Sequence, residues 1–272
     1  MSFFQTELLL KERGIIPNKK MGQNFMIDSS IFHKLSKYAS LCKTDVVLDV
    51  GAGFGFFTKF LAQICGKVVA VEKDKKILEV LKEQLKSVNN VSIVKGDILK
   101  VDLPKFNKVV SIPPYYLSSR LISWLFQQKI DCAVLIMQKA FAEKLLALAD
   151  TDSYGWLTVI SQYYAKIDLL DEIMAEKFYP KPTVDSAIVR IFPWNSPPFQ
   201  VFDPQLFNNV IKYLFTNRNK KLANAICPFL KKNFNFSKLD TQKFLSVFPF
   251  REKRVRQLYA KEFGDLINGL TT

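Results

Sequence analysis

Histidine is nearly absent from this sequence. The 272 residues contain one, His33, in the run SSIFHKLSKYA, whose spacing is typical of a helix residue rather than a catalytic one. Because histidine is the usual general base and metal ligand near neutral pH, chemistry that depends on it is disfavoured. We therefore predict no metal site.

Cysteines and long apolar runs are also few. Four widely spaced cysteines indicate neither a disulfide framework nor a zinc knuckle, and we interpret them as reduced core residues of a cytosolic protein. No apolar run approaches the ~20 residues that span a bilayer. Acidic residues within the first 15 positions argue against a signal peptide. The sequence therefore predicts a cytoplasmic protein that does not associate with membranes.

Basic residues are abundant and unevenly placed. The formal net charge is +14, a surplus that favours a polyanionic partner, either nucleic acid or an anionic membrane, with solubility alone as the alternative. Residues 200–272 carry 13 basic against 5 acidic side chains, whereas residues 41–199 carry 20 against 17. The surplus in the last quarter of the chain favours nucleic acid.

Short β-branched runs alternate with amphipathic segments between residues 45 and 137. The runs VVLDV, KVVAVE, VSIVKGD, KVVSI and CAVLIM predict buried, mostly parallel strands with helices on both faces of the sheet. YYAKIDLLDEIM and DSAIVRIFP are predicted to add two strands that finish the sheet with an antiparallel edge. The pattern therefore predicts a Rossmann-like α/β fold.

The pattern becomes helical after the proline-rich segment FPWNSPPFQVFDP. The later segments QLFNNVIKYLFTNRNKKLANAICPFLKK and REKRVRQLYAKEFGDLINGL have helical spacing. We place a domain boundary near residue 198. Residues 1–198 would form the α/β domain, preceded by the basic arm KERGIIPNKK, and residues 199–272 a small helical domain.

Glycines lie between the first buried strand and the helix that follows it, in VVLDVGAGFGFFTKFLA. Such a turn lets a ligand approach backbone N–H groups at a helix N-terminus. A dinucleotide fingerprint would have glycine at position 56, which is Phe56. The G-x-G-x-G form of Gly51, Gly53 and Gly55 resembles the loop of S-adenosylmethionine-dependent methyltransferases, and close helix–strand packing is the alternative.

Two carboxylates follow the next two strands. Glu72 ends KVVAVE, where a carboxylate can accept hydrogen bonds from ribose hydroxyls, and Asp97 follows VSIVKG, where one can accept from an adenine amino group. For a single Asp or Glu at a strand end, the usual interpretation is a solvated side chain without a ligand. Together with the glycines, at three successive strand ends, the two acids favour a nucleoside-containing cofactor.

The segment SIPPYY, residues 111–116, ends the fourth strand. Pro113 and Pro114 fix φ and remove two backbone donors, which leaves carbonyl acceptors suited to an amino group. Tyr115 offers a ring on which a base can stack. A Pro-Pro turn beside a core tyrosine is the alternative.

This corner resembles the [N/D/S]-[L/I/P]-P-[Y/F] motif of amino-methyltransferases, and PPYYLSS resembles the ribosomal RNA adenine N6,N6-dimethyltransferase family. KKMGQNFMID, SYGWLTVISQYYA, FYPKPTVDSAIVR and LFTNRNKKLANAI are similar to further motifs of that family in the same order. The resemblance extends from about Lys19 to Arg256.

The resemblance implies an S-adenosylmethionine-dependent enzyme that dimethylates two adjacent adenosines in the 3′-terminal hairpin loop of small-subunit ribosomal RNA. Its partners would be that RNA and the pre-ribosomal small subunit, and we expect a monomer. Phe178 would sandwich the target adenine against Tyr115, although a core position is the alternative for Phe178. The remaining implied site residues are, for the amine, Ile112, Pro113 and Pro114, and, for the cofactor, Asn24, Met26, Gly51, Gly53, Glu72, Asp97 and Ile112.

Basic side chains of the C-terminal segment are predicted to contact RNA phosphates, which position a substrate without reading its sequence. A solvated helical face is the alternative for any one of them. The predicted contacts are Arg218, Lys220, Lys221, Arg251, Lys253, Arg254 and Arg256.

One position departs from the family pattern. Ile112 stands where the family most often has asparagine, whose side-chain oxygen would accept a hydrogen bond from the target amine. The backbone carbonyls of Ile112 and Pro113 would remain as acceptors. A ribosome-assembly or RNA-binding factor with weak or lost activity is therefore the competing hypothesis. A nicotinamide-dependent oxidoreductase is disfavoured by Phe56 and by the lack of a candidate hydride-transfer acid or base.

Overall fold

The computed structural model describes residues 3–18 and 21–271. The chain folds into two compact units: the first contains the chain up to Ala142 and Ile167–Pro193, and the second contains Glu143–Lys166 and the chain from Trp194 onward. Residues 143–166 thus pack with the C-terminal part of the chain. The boundary near residue 198 stays a prediction about domains, and Lys19 and Lys20 of the predicted basic arm lie outside the described residues.

The seven strands of the main sheet agree closely with the predicted runs, and two short strands outside this sheet were not predicted. The strands are, in chain order, β1 (Phe25–Met26), β2 (Val46–Val50), β3 (Lys67–Glu72), β4 (Val91–Lys95), β5 (Lys108–Ser111), β6 (Cys132–Gln138), β7 (Ala165–Ile173), β8 (Phe178–Tyr179) and β9 (Ser186–Pro193). One sheet has the order β4-β3-β2-β5-β6-β9-β7, and β1 pairs with β8. The pairs from β4 to β6 are parallel, and β9 is antiparallel to β6. The predicted parallel sheet with an antiparallel edge is confirmed.

Helices and apolar contacts cover the sheet of the first unit. The helices are α1 (Phe3–Glu12), α2 (Ser30–Tyr38), α3 (Phe56–Ile64), α4 (Lys75–Gln84) and α5 (Ser118–Leu125), and α6 (Lys139–Leu145) continues into the second unit. Asp74 caps α4 by accepting hydrogen bonds from the N–H groups of Lys76 and Ile77. Leu35 of α2 and Leu61 of α3 pack in one buried cluster with Val47 of β2.

The second unit is helical but more interrupted than its sequence suggested. Its helices are α7 (Trp156–Tyr164), α8 (Pro204–Phe215), α9 (Leu222–Phe234), α10 (Lys238–Ser246) and α11 (Ala260–Thr271). Turns between α8 and α9 interrupt the segment 205–232, for which helical spacing was predicted. Residues 251–259 form turns and a short 3-10 helix (Val255–Gln257) instead of the predicted start of an α-helix. Tyr163 and Tyr164 end α7 instead of opening a strand.

The cysteines only partly follow the prediction that was made from composition. All four cysteines are free; Cys65 and Cys132 are buried, but Cys42 is exposed, so its assignment to the core was wrong. In the described ranges, no helix has both the length and the apolar character needed to cross a bilayer. The same residues contain no group of three or more His, Cys, Asp or Glu side chains suited to a metal ion.

Candidate active site

The loop between β2 and α3 is a tight turn that packs against the corner after β5. Gly51 has φ +72°, a left-handed conformation that glycine adopts without strain. The N–H groups of Gly51 and Ala52 donate to the carbonyl of Val71 in β3 at 2.8 and 3.0 Å. A Cβ atom on Gly51 would lie 2.6 Å from Cδ of Pro114. Only glycine therefore fits between β3 and this proline.

Glu72, the last residue of β3, is buried beside the glycine loop. Its carboxylate accepts hydrogen bonds from the N–H groups of Gly53 at 3.0 Å, Lys73 at 2.8 Å and Asp74 at 2.9 Å. Burial raises the pKa of this carboxyl, although the three N–H donors act in the opposite direction. Glu72 thus connects the glycine loop to the end of β3.

Asp97 lies after β4 at the same edge of the sheet. One oxygen accepts a hydrogen bond from the N–H of Leu99 at 3.2 Å, and the other lies 3.2 Å from Nζ of Lys73. Burial acts to raise the pKa of this carboxyl, but the hydrogen bonds and the Lys73 charge outweigh it and the pKa is lowered. Asp97 is therefore an ionised acceptor.

The corner after β5 leaves backbone acceptors unpaired. The carbonyl of Pro114 accepts a hydrogen bond from the N–H of Leu117 at 3.0 Å. Among the described residues, no hydrogen bond is made to the carbonyls of Ile112 or Pro113, and both residues line the cavity beside the glycine loop. These two oxygens can therefore accept hydrogen bonds from a ligand.

Tyr115 and Phe178 line the same cavity, with their rings edge to face. The ring centroids are 6.4 Å apart and the ring planes are inclined by 72°. Phe178 is 2% exposed and belongs to the main apolar cluster. A base sandwiched between the two rings needs them parallel, so one ring would have to turn. The predicted sandwich stays a prediction.

The N-terminal segment contributes to the same region. Asn24 lines the cavity, and Met26 pairs with Phe178 across the β1–β8 ribbon. Met26 itself lines a neighbouring cavity with about 440 Å³ of empty space, which Asp49 also lines. The segment thus places the predicted cofactor residues Asn24 and Met26 beside the glycine loop.

The main cavity has about 740 Å³ of empty space, including the part open to solvent, which is within the usual range for small-molecule sites. All residues predicted for the amine and the cofactor line it except Met26. Polar residues that the sequence reasoning missed also line it: Gln23, Lys73 and Tyr116. Each is adjacent in sequence to a predicted site residue, and this adjacency was the signal that could have identified it.

Comparison with known sequences places the chain in a family. The sequence model described as ribosomal RNA adenine dimethylase matches residues 16–260. The chain belongs to this family. Its membership confirms the resemblance, the enzyme class of S-adenosylmethionine-dependent ribosomal RNA adenine dimethyltransferase, and S-adenosylmethionine as the cofactor.

Individual relatives of this dimethylase family support the assignment. A protein of Methanococcoides burtonii named "Probable ribosomal RNA small subunit methyltransferase A" is 36% identical over 248 residues, which cover 90% of each chain. One of the same name from Thermococcus gammatolerans is 37% identical and covers 95% of this chain and 91% of its own. The crystal structure of a dimethyladenosine transferase from Plasmodium falciparum is 26% identical, with a TM-score of 0.79, and covers 91% of this chain and 97% of its own.

In this dimethylase, two of the seven basic residues predicted to bind RNA hold a loop of the second unit. Arg218 donates to the carbonyls of Asp152 and Thr151 at 2.9 and 3.1 Å. Nε of Arg256 lies 3.0 Å from the carboxylate of Asp150. This network fixes the loop that precedes α7, a structural role that sequence reasoning missed.

The other five basic residues lie near Arg218 and Arg256 in sequence, in the segments 218–221 and 251–256. An isolated antiparallel bridge between Lys221 and Arg254 joins these two segments. Lys221 pairs with Glu252 at 2.9 Å and Lys253 with Glu262 at 2.7 Å, and Arg254 donates to the carbonyl of Asn219. Most of these side chains are exposed, and exposed pairs contribute little stability. The basic side chains can therefore exchange these protein partners for RNA phosphates. Their contact with RNA stays a prediction. The remaining two residues are Lys220 and Arg251.

The buried carboxyl of Asp49 predicts a pH-dependent stability for this dimethylase. Burial raises its pKa from 3.8 to about 7, against the hydrogen bond that Thr58 donates at 2.8 Å. Between these values the folded state binds one more proton than the unfolded state, so the free energy of unfolding falls as the pH rises from about 4 to 7. Asp49→Asn should remove most of this decline, measured by thermal unfolding across that range.

The exposed Asp102→Asn is the matched control for this measurement. It should keep the pH dependence of the wild type, because Asp102 lies at the surface. An equal decline in the Asp49→Asn variant and the wild type would show that another group is responsible.

Proposed function

We propose that this dimethylase transfers two methyl groups to the N6 atom of each of two adjacent adenosines in the 3′-terminal hairpin loop of small-subunit ribosomal RNA. It acts as a cytoplasmic monomer on the pre-ribosomal small subunit, as a step of ribosome biogenesis. One observation carries the proposal: Ile112 and Pro113, whose carbonyls accept no hydrogen bond from the described residues, line together with Tyr115 the cavity that contains the glycine loop.

The hydrogen-bond acceptors of the cavity fit S-adenosylmethionine. The ribose hydroxyls and the adenine amino group of this cofactor need acceptors, which the buried Glu72 and the ionised Asp97 supply at adjacent strand ends. We assign the ribose hydroxyls to Glu72, the adenine amino group to Asp97, and further contacts to Asn24 and the backbone of Met26. When bound, the cofactor supplies an electrophilic methyl group on its sulfonium.

The corner residues would prepare the target amine. The exocyclic nitrogen of adenine is a poor nucleophile because its lone pair is delocalised into the ring. Carbonyl oxygens of Ile112 and Pro113 that accept its N–H protons favour a pyramidal nitrogen, and Tyr115 holds the base in orientation. No strong base is required, because the proton becomes acidic once the nitrogen carries positive charge.

A flipped base is expected at this site. A base must leave its stack to reach a cavity of this kind, which costs a few kcal/mol and favours loop nucleotides. Because the first product has lost one N–H, a site built from two carbonyls and a ring still accommodates the second methylation. These features support a loop adenosine as the substrate and dimethylation as the outcome.

Ile112→Asn is expected to raise kcat/KM by roughly 2- to 10-fold, because an asparagine oxygen adds one neutral hydrogen bond worth about 0.5–1.5 kcal/mol. The measurement is methyl incorporation into unmethylated small subunits at limiting substrate. Thermal unfolding provides the control, because Ile112 also packs against the main apolar cluster. An unchanged rate in a stable variant would mean that the two carbonyls suffice.

The proposed reaction is tested by incubating the protein with labelled S-adenosylmethionine and unmethylated small subunits. Modified nucleosides are then mapped by mass spectrometry. We expect N6,N6-dimethyladenosine at two adjacent positions of the terminal loop.

A ribosome-assembly factor with weak or lost activity is the second candidate, and Ile112 is the observation that favours it. Binding of the subunit without incorporation would support this candidate and contradict the proposed reaction.

A further inference from the structure

The hydroxyl of Tyr115 makes a short hydrogen bond to a residue that is distant in sequence. Its Oη lies 2.6 Å from Oγ of Ser186. Ser186 has no exposed surface. Since it opens β9 and pairs with Gln138 at the end of β6, its backbone is fixed by the sheet. The partner of Tyr115 is therefore a rigid one.

The other end of Tyr115 is also restrained. The ring of Pro114, the residue before it, fixes the φ of Pro114 itself, and the N–H of Leu117 closes a turn around Tyr115 by donating to the carbonyl of Pro114 at 3.0 Å. Oγ of Ser118 donates to the carbonyl of Tyr115 at 2.8 Å. With the backbone and the hydroxyl both held, the axis of the ring from Cγ to Oη has a single direction.

This restraint leaves one motion available to the ring. Rotation about the axis from Cγ to Oη moves the ring plane but leaves the hydroxyl in place, so the bond to Ser186 survives it. The edge-to-face arrangement with Phe178 at 72° can then change toward stacking without moving the backbone. A tyrosine without its serine partner could swing out of the cavity by rotation about Cα–Cβ.

We propose that Ser186 is a positioning residue for methyl transfer. Its hydroxyl holds the Cγ–Oη axis of Tyr115 in the direction that lets the ring stack on the target base. The inference rests on the proposed function of this cavity. Ser186 touches neither the base nor the cofactor in this role and acts only through the hydroxyl of Tyr115.

A double-mutant cycle with Ser186→Ala and Tyr115→Phe tests the inference. Each variant removes one partner of the same hydrogen bond, so each should lower kcat for methylation of small subunits by roughly 2- to 10-fold, the effect of one hydrogen bond. The double variant should be no slower than the slower single variant. The affinity for S-adenosylmethionine, measured by calorimetry, should be unchanged in all three.

Ser161→Ala is the matched control. Ser161 is also buried, at 1% exposed, and its hydroxyl has no hydrogen-bond partner among the described residues. Its removal should leave kcat unchanged, which separates the loss of a bond from the loss of a buried hydroxyl.

Two outcomes would overturn the inference, and a third concerns the proposed function instead. Multiplicative losses in the double variant, or a Ser186→Ala enzyme as fast as the wild type, would show that Ser186 does not act through Tyr115. A wild-type protein that binds subunits without methylating them would contradict the proposed function, before any variant is compared.

Discussion

Gly51→Ala is expected to weaken S-adenosylmethionine binding by roughly 30- to 5000-fold. An alanine in the left-handed region costs about 1–2 kcal/mol, and relieving an overpacked contact costs about 1–3 kcal/mol. Both apply here, because Gly51 has φ +72° and the new Cβ would lie 2.6 Å from Cδ of Pro114. Since Cδ belongs to a ring that includes the backbone nitrogen, the loop has to move rather than the proline. Calorimetric titration with the cofactor measures the effect.

Gly14→Ala is the matched control for Gly51→Ala. Gly14 also has a positive φ, +55°, but a Cβ there would meet no described atom within 4 Å. Gly14→Ala therefore has the backbone cost without the steric one and should bind the cofactor as the wild type does. Equal affinities in the two variants would show that contact between the glycine loop and the proline corner does not shape the site.

The sequence predicted the cofactor edge of the sheet well because that edge depends on local patterns. A β-branched run followed by glycines or an acid identifies the end of a parallel strand, and parallel strands end at a common edge. Gly51, Glu72 and Asp97 could therefore be placed together without knowing any contact. The resemblance to a family added Asn24 and Phe178, whose own sequence neighbourhoods carry no such signal.

Features that the sequence did not predict depend on pairings between distant segments. Tyr115 and Ser186 are 71 positions apart, and Arg218 reaches the carbonyl of Asp152 across 66 positions. No local sequence pattern reports such contacts, so the role of Arg218 in holding a loop was missed, and its contact with RNA stays a prediction. The end of α7 was missed because aromatic residues such as Tyr164 favour strands in isolation.

The second large effect is expected for Glu72→Gln, which should weaken cofactor binding about 100-fold. One carboxylate oxygen of Glu72 accepts from Lys73 and Asp74, and the other accepts from Gly53. A glutamine amide has one oxygen, so its NH2 group must face an N–H donor. In our assignment the ribose hydroxyls lose their charged acceptor, and a lost hydrogen bond to a charged group costs about 1.5–3 kcal/mol. Calorimetry with S-adenosylmethionine measures the change.

Stability should respond to Glu72→Gln less than binding does, and this difference identifies the carboxylate as part of the cofactor site. Burial raises the pKa of Glu72, so keeping it ionised in the folded state has a cost that a neutral glutamine avoids. That gain offsets part of the lost hydrogen bonding in the free protein but restores no acceptor for the ligand. The matched control is Glu79→Gln, at an exposed position of α4, which should change neither property. A Glu72→Gln protein that unfolds at a much lower temperature yet binds the cofactor normally would mean that Glu72 only supports the loop.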